Sequence, residues 1–254
     1  LFKRTCNKFL MKKKRLIGVI TVKNNIAVQS FGYKRYLPVG KPEILAKNLD
    51  IWGVDEILIN DIDRSIKFKE PNFSLLEKIS NLKLSTPIIY SGGIKNVDDA
   101  VNVIKFGSDR IMFETVFFKN SQIVEKISNK IGSQGLILSL PVVKVNNKIF
   151  RYCYLSKKFF KISKEVNEFF KKKIISECLI TDVINEGSIN NFDFSILKKI
   201  DLKIKMIIFG GVESKKTIKK CLYQSNINAV AVGNRLNYSE NCIDILKKNQ
   251  KVLR

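Results

Sequence analysis

The sequence contains no histidine among its 254 residues. That absence excludes a histidine general base, a Ser-His-Asp or Cys-His nucleophile, and any metal held by imidazole. The five cysteines, Cys6, Cys153, Cys178, Cys221 and Cys242, show no paired metal spacing. They are expected to be free thiols in a reducing compartment, and neither a metal nor a cofactor is expected. Apolar runs fall well short of the roughly 20 residues that span a bilayer, and the N-terminal segment is basic without the apolar core of a secretory leader. No membrane contact is expected, and the expected location is the cytoplasm. Acidic residues are scarce: 23 Asp and Glu stand against 46 Lys and Arg, a net charge of +23. Such a charge invites anionic partners. The lysines, however, are spread over every expected helix beside many Asn, Ile and Phe, and no aromatic RNA motif or zinc-finger spacing accompanies them. They are read as a solvated outer face, and a nucleic-acid partner is not expected.

What is present is organised around residues 87–118, PIIYSGGIKNVDDAVNVIKFGSDRIMFETVFF. A short apolar run stops at Ser91-Gly92-Gly93. Apolar residues at helical spacing follow (Val97, Ala100, Val101, Val103, Ile104), and a second apolar run begins at Ile111. This is strand, Gly-Gly loop, helix, strand. Near the C-terminus the pattern returns: Ile207-Ile208-Phe209-Gly210-Gly211-Val212 echoes Ile89-Tyr90-Ser91-Gly92-Gly93-Ile94 at an offset of 118 residues. A second echo sets residues 194–200, FSILKKI, against residues 73–79, FSLLEKI, at an offset of 121. Two echoes at nearly one period indicate a duplicated chain with about four βα units per half. The expected fold is therefore α/β, a single (β/α)8 TIM barrel built from two half-barrels. Residues 1–14 are read as a basic N-terminal extension and 15–254 as the barrel, with halves at about 15–133 and 134–254.

Taken in order, strand one covers 15–22 and is followed by a long loop over 23–42 that contains Tyr33-Lys34-Arg35-Tyr36, the kind of loop that barrels often use as a lid. A helix is expected over 43–52, a strand over 56–60, and a helix after Pro71 capped by Asn72. A helix over 121–130 closes the first half. Strand five runs over 135–140 and ends at Pro141, followed by a small hairpin over 142–155, a helix over 158–172 and strand six over 174–181. In such barrels the chemistry sits where the strands end. That ring here includes Thr21, Asp61, the two Gly-Gly loops, Glu114, Thr115, Pro141 and residues 181–187. Glycine before a helix lets backbone N–H groups approach an anion. Two such loops on opposite sides suggest two anion sites and a bisphosphorylated small molecule.

At these residues the chain resembles the cyclase subunit of imidazole glycerol phosphate synthase. The most specific stretches are Asp55-Glu56, Gly92-Gly93-Ile94, Lys119-Asn120, residues 131–134 (IGSQ), Glu186-Gly187 and Gly210-Gly211-Val212. The resemblance implies a glutaminase partner at the bottom of the barrel, supplying ammonia to a phosphorylated substrate at the top. It implies phosphate contacts at Gly92, Gly93 and Thr115 on one side, and at Gly187, Gly210, Gly211, Gly233 and Asn234 on the other. It implies an ammonia gate of Arg15, Glu56, Arg110 and Glu177, with Asp109 at the partner interface. The family's two catalytic aspartates fall at Thr21 and Pro141, neither of which can exchange a proton usefully. The remaining catalytic candidates are Asp61, Glu114 and Glu186. The retained gate and missing aspartates are similar to a paralogous branch associated with surface-sugar amidination, in which an ATP-dependent sugar amidotransferase would be a further partner. Three readings stand: an ammonia-conducting subunit of a glutamine amidotransferase, a genuine cyclase using other carboxylates, and a non-catalytic phosphate-binding scaffold.

Overall fold

The computed structural model describes residues 14–188, 191–237 and 241–248. Most of the basic extension lies outside the described residues. The chain opens with β1 (Arg15–Lys23), β2 (Ile26–Phe31), β3 (Arg35–Gly40) and α1 (Pro42–Ile51). Next come β4 (Glu56–Asp61), α2 (Ile62–Ile66), α3 (Phe73–Ser80), β5 (Ile88–Ser91), α4 (Val97–Lys105), β6 (Arg110–Phe113), α5 (Thr115–Lys119) and α6 (Ser121–Ile131). The second half holds β7 (Leu136–Val145), β8 (Lys148–Cys153), β9 (Lys158–Phe160), α7 (Glu165–Lys171), β10 (Glu177–Asp182) and α8 (Ser195–Lys199). It ends with β11 (Met206–Phe209), α9 (Lys215–Leu222), β12 (Ile227–Val232) and α10 (Cys242–Lys247).

Eight strands pair in parallel in the order β1-β4-β5-β6-β7-β10-β11-β12, and β12 returns to β1 through Arg15 opposite Ala229. The barrel is closed, as expected, and closure leaves no free edge among these strands. Alternation along each strand divides the core. Ile17, Val19, Leu58, Ile89, Met112, Ile137, Leu179, Ile207, Phe209, Ala229 and Ala231 fill the interior. The intervening residues pack outward under the helices. Both faces are thus dry, which explains the near-continuous apolar strands. The duplication is visible in the caps: Asn96 accepts from the N–H of Asp99 to start α4, and 118 residues on Ser214 accepts from Thr217 to start α9. The Asn72 cap of α3 also forms, accepting from Leu75.

Several boundaries differ from those expected. Residues 23–42 are not a loop: β2 pairs with β1 and β3 pairs with β2, an antiparallel ribbon turning through Asn24 and Asn25. Both asparagines have positive φ (50° and 61°), the geometry that Asn adopts most readily after Gly. Asn146 and Asn147 make the same turn between β7 and β8. Strand five does not stop at Pro141 but continues to Val145. β6 ends at Phe113, opposite Leu138, so the missing N–H of Pro141 falls beyond that ladder. The segment expected to be helical from 158 begins instead with β9, which pairs with β8, and α7 starts only at Glu165. Strand six starts at Glu177 rather than at 174.

Candidate functional site

Four of the eight barrel strands begin with a charged residue: β1 with Arg15, β4 with Glu56, β6 with Arg110 and β10 with Glu177. At the bottom of the barrel they close into a ring of alternating charge. Arg15 donates to Glu56 at 3.2 Å and to Glu177 at 2.5 Å, and Arg110 donates to the same two carboxylates at 3.2 and 2.8 Å. Asn228 also donates to Glu177, at 3.0 Å. Burial alone would raise the Glu177 carboxyl, but the Arg15 hydrogen bond and the charges of Arg15 and Arg110 hold it down at about 2. Burial prevails at Glu56, whose carboxyl is raised and whose Oε2 is buried without a hydrogen bond. All four expected gate residues are therefore brought together. Asp109 is exposed beside them, and its carboxylate accepts from the N–H of Ile88 at 2.7 Å. Around this face Trp52, Leu82, Phe106 and Tyr223, from the turns between helices and strands, are between 37% and 60% exposed.

At the opposite end a cavity of about 590 Å³ opens over the first half-barrel. Gly92, Gly93 and Thr115 line it together with Asp61 and Glu114. Burial pushes the Glu114 carboxyl up to about 8, although Arg151 donates to it at 3.3 Å. Burial also raises Asp61, which accepts from Asn72 at 3.0 Å and from Arg64 at 3.4 Å. A Cβ on Gly92 would lie 2.3 Å from the carbonyl oxygen of Asp61, so only glycine allows this approach of the loop to β4. A smaller cavity of about 180 Å³ adjoins it across Gly93 and Thr115.

The other expected sites are arranged differently. Gly187, Gly210, Gly211, Gly233 and Asn234 surround a cleft of only about 10 Å³. A Cβ on Gly187 would lie 1.9 Å from the carbonyl oxygen of Ser30, so β2 is seated directly on that loop. The Asn234 amide clasps the Ser30 peptide there, donating to its carbonyl at 2.7 Å and accepting from its N–H at 3.1 Å. Glu186 accepts from the Ser30 hydroxyl at 3.0 Å and from the Tyr33 N–H at 3.1 Å, which makes it an anchor of the β2–β3 ribbon. Thr21 and Pro141 stand where expected, near the tops of β1 and β7, but neither lines the open cavity.

Two tyrosines shape the mouth, one from the expected lid and one that the sequence did not mark. Tyr33 of the ribbon and Tyr154, beyond β8, pack ring to ring at 4.6 Å, and Tyr33 rests on the interior apolar cluster. Tyr33 lies in the segment expected to act as a lid; nothing local marked Tyr154, because its contact spans both halves.

A closed (β/α)8 barrel with a charged ring at one end and a glycine-lined cavity at the other defines a TIM barrel of two-fold repeated design. Residues 15–242 match the family model described as "Histidine biosynthesis protein", and the chain belongs to that family. It is 28% identical over 237 residues to a protein of Vibrio vulnificus, covering 91% of this chain and 86% of the relative. It is 29% identical over 207 residues to one of Campylobacter jejuni, covering 80% and 81%. Both relatives are named "Putative imidazole glycerol phosphate synthase subunit hisF2". It is also 27% identical over 210 residues to the imidazole glycerol phosphate synthase subunit HisF of Sulfurisphaera tokodaii, covering 79% and 82%. Among the described residues no helix is long and apolar enough to cross a membrane.

Proposed function

We propose that this chain is the ammonia-conducting barrel subunit of a glutamine-dependent amidotransferase and does not perform the two-aspartate cyclase chemistry of its family. The observation that carries this reading is the contrast between the two ends. The ring of Arg15, Glu56, Arg110 and Glu177 is complete, whereas the aspartate positions hold Thr21 and Pro141. The apolar interior above the ring suits a neutral molecule such as ammonia and opposes ions, because burying a charge there without a partner is costly. Ala229 and Ala231, the smallest interior side chains, leave the most room along β12. The exposed rim of Trp52, Leu82, Phe106 and Tyr223 has the apolar and aromatic character of a protein interface, which fits a glutaminase docked at the bottom with Asp109 at its edge. Nitrogen would then emerge at the upper cavity and pass to an acceptor, with surface-sugar amidination by a separate ATP-using enzyme as the destination.

The experiment mixes the chain with the glutaminase and follows glutamate release. Stimulation is expected with wild type, and Glu56→Ala should uncouple glutamate release from nitrogen transfer. No complex at micromolar concentration and no stimulation would overturn the proposal. A second reading, a cyclase working through Glu114, draws on the raised carboxyl at the cavity wall. Turnover of the family's bisphosphorylated ribonucleotide with free ammonium and no partner would establish it, with Glu114→Gln abolishing activity.

A further inference from the structure

The two halves repeat a Gly-Gly loop, but their surroundings are opposite in volume and in charge. Around the first loop the cavity of about 590 Å³ carries Lys23, Lys34 and Lys157 on its walls. The adjoining cavity, across Gly93 and Thr115, adds Arg64, Lys69, Lys95 and Lys119. Facing them are two carboxyls, Asp61 and Glu114.

Around the second loop the described residues enclose a cleft of only about 10 Å³. The backbone of Ser30 occupies the position above Gly187, held from both sides by the Asn234 amide. The Gly32 N–H also donates to the Glu186 carbonyl at 2.9 Å, so the ribbon is fastened over the loop by several independent contacts. Among the described residues that line this cleft there is no lysine or arginine, and two are carboxylates, Glu186 and Glu213. Arg235 acts on Glu213 from nearby, while Oε2 of Glu186 accepts from both Ser30 and Tyr33. A phosphate brought here would meet like charge and find one Asn234 N–H already committed to the Ser30 carbonyl. It would also have to displace a backbone segment whose hydrogen bonds it could not replace.

We infer that the upper site takes a ligand with a single phosphate-like anion, bound at Gly92-Gly93 and Thr115, and that the second half-barrel's cradle is closed by the chain's own Ser30 segment and has ceased to be an anion site. The ligand class is thus a monophosphorylated small molecule whose uncharged part points toward the Tyr33–Tyr154 pair, rather than a molecule phosphorylated at both ends. This replaces the two-anion expectation drawn from the glycine repeat. It rests on the functional reading only in taking the upper cavity as the ligand site.

The test is calorimetric titration of the isolated full chain with inorganic phosphate, ribose 5-phosphate and ribulose 1,5-bisphosphate. One phosphate ion per chain is expected. The bisphosphate should bind less than about fivefold tighter than the monophosphate, a difference below about 1 kcal/mol. Thr115→Asp, which adds like charge to the open cradle, should abolish binding of all three while leaving the melting temperature within about 2 °C of wild type. Two phosphate ions per chain, a bisphosphate preference above about fivefold, no phosphate binding, or unchanged binding in Thr115→Asp would each overturn the inference. These measurements need no glutaminase, so their failure is separable from failure of the amidotransferase reading.

Discussion

Glu177 and Glu114 are both buried carboxyls, and their surroundings drive them in opposite directions. Glu177 lies between two guanidinium groups and an amide, which outweigh burial and hold it at about 2. Glu114 has one arginine, and burial raises it to about 8. The stability consequences have opposite signs. Glu177 contributes stability above the ordinary carboxyl range that is lost as pH falls from about 4.5 toward 2. Glu114 holds its proton in the folded state, so stability falls as pH rises from about 4.5 to 8. Urea unfolding of Glu114→Gln between pH 5 and 9 should therefore show a flatter decline than wild type, the slopes differing by at most about 1.4 kcal/mol per pH unit. Glu177→Ala leaves two largely buried arginines short of a partner and should cost about 3 kcal/mol in the same assay. The ring residues were legible as charged strand starts within a resemblance. The raised carboxyl of Glu114 was not, because Arg151 and the burial that oppose each other there come from the insertion after β7.

At the scale of elements, the β2–β3 ribbon decides which half of the molecule is open. It arises from β1 but is fastened to the far side through Ser30, with Asn234 and Glu186 as its anchors. Asn234→Ala removes two hydrogen bonds to a buried peptide and should destabilise the protein by about 1–2 kcal/mol. Hydrogen exchange at Ser30 should accelerate by at least about tenfold, while β4 and β5 remain protected. Uniform protection would show that the ribbon is held elsewhere. Helical periodicity made α3, α4 and α6 readable, with Asn72 marking the start of α3, since those signals are local. The ribbon was missed because its strands are short and its turn signal, Asn24-Asn25, lacks the glycine usual in tight hairpins. The insertion at 158–160 was read as helix because Phe159 and Phe160 fit either period over so short a run; pairing with β8 settled it.

Over the whole molecule, the two ends are joined through one interior. Ala229 lies level with Arg15 of the charged ring, and Ala231 follows one inward position higher. Ala229→Leu should narrow that passage at a folding cost of about 1–3 kcal/mol from overpacking. In complex with the glutaminase, glutamate release should continue while nitrogen transfer falls; an unchanged ratio would place the conduit elsewhere. The sequence by itself determined the barrel, because the Gly-Gly loop and the apolar strands are local patterns that the chain carries twice, once in each half. It also determined which residue types are missing: histidine everywhere, and aspartate at positions 21 and 141. Only the tertiary structure decided that four charges form one ring, that Tyr33 meets Tyr154, and that one of two similar loops is filled by Ser30. Those outcomes depend on residues as many as 204 positions apart meeting in three dimensions, and a pattern confined to neighbours in the chain cannot express such a contact.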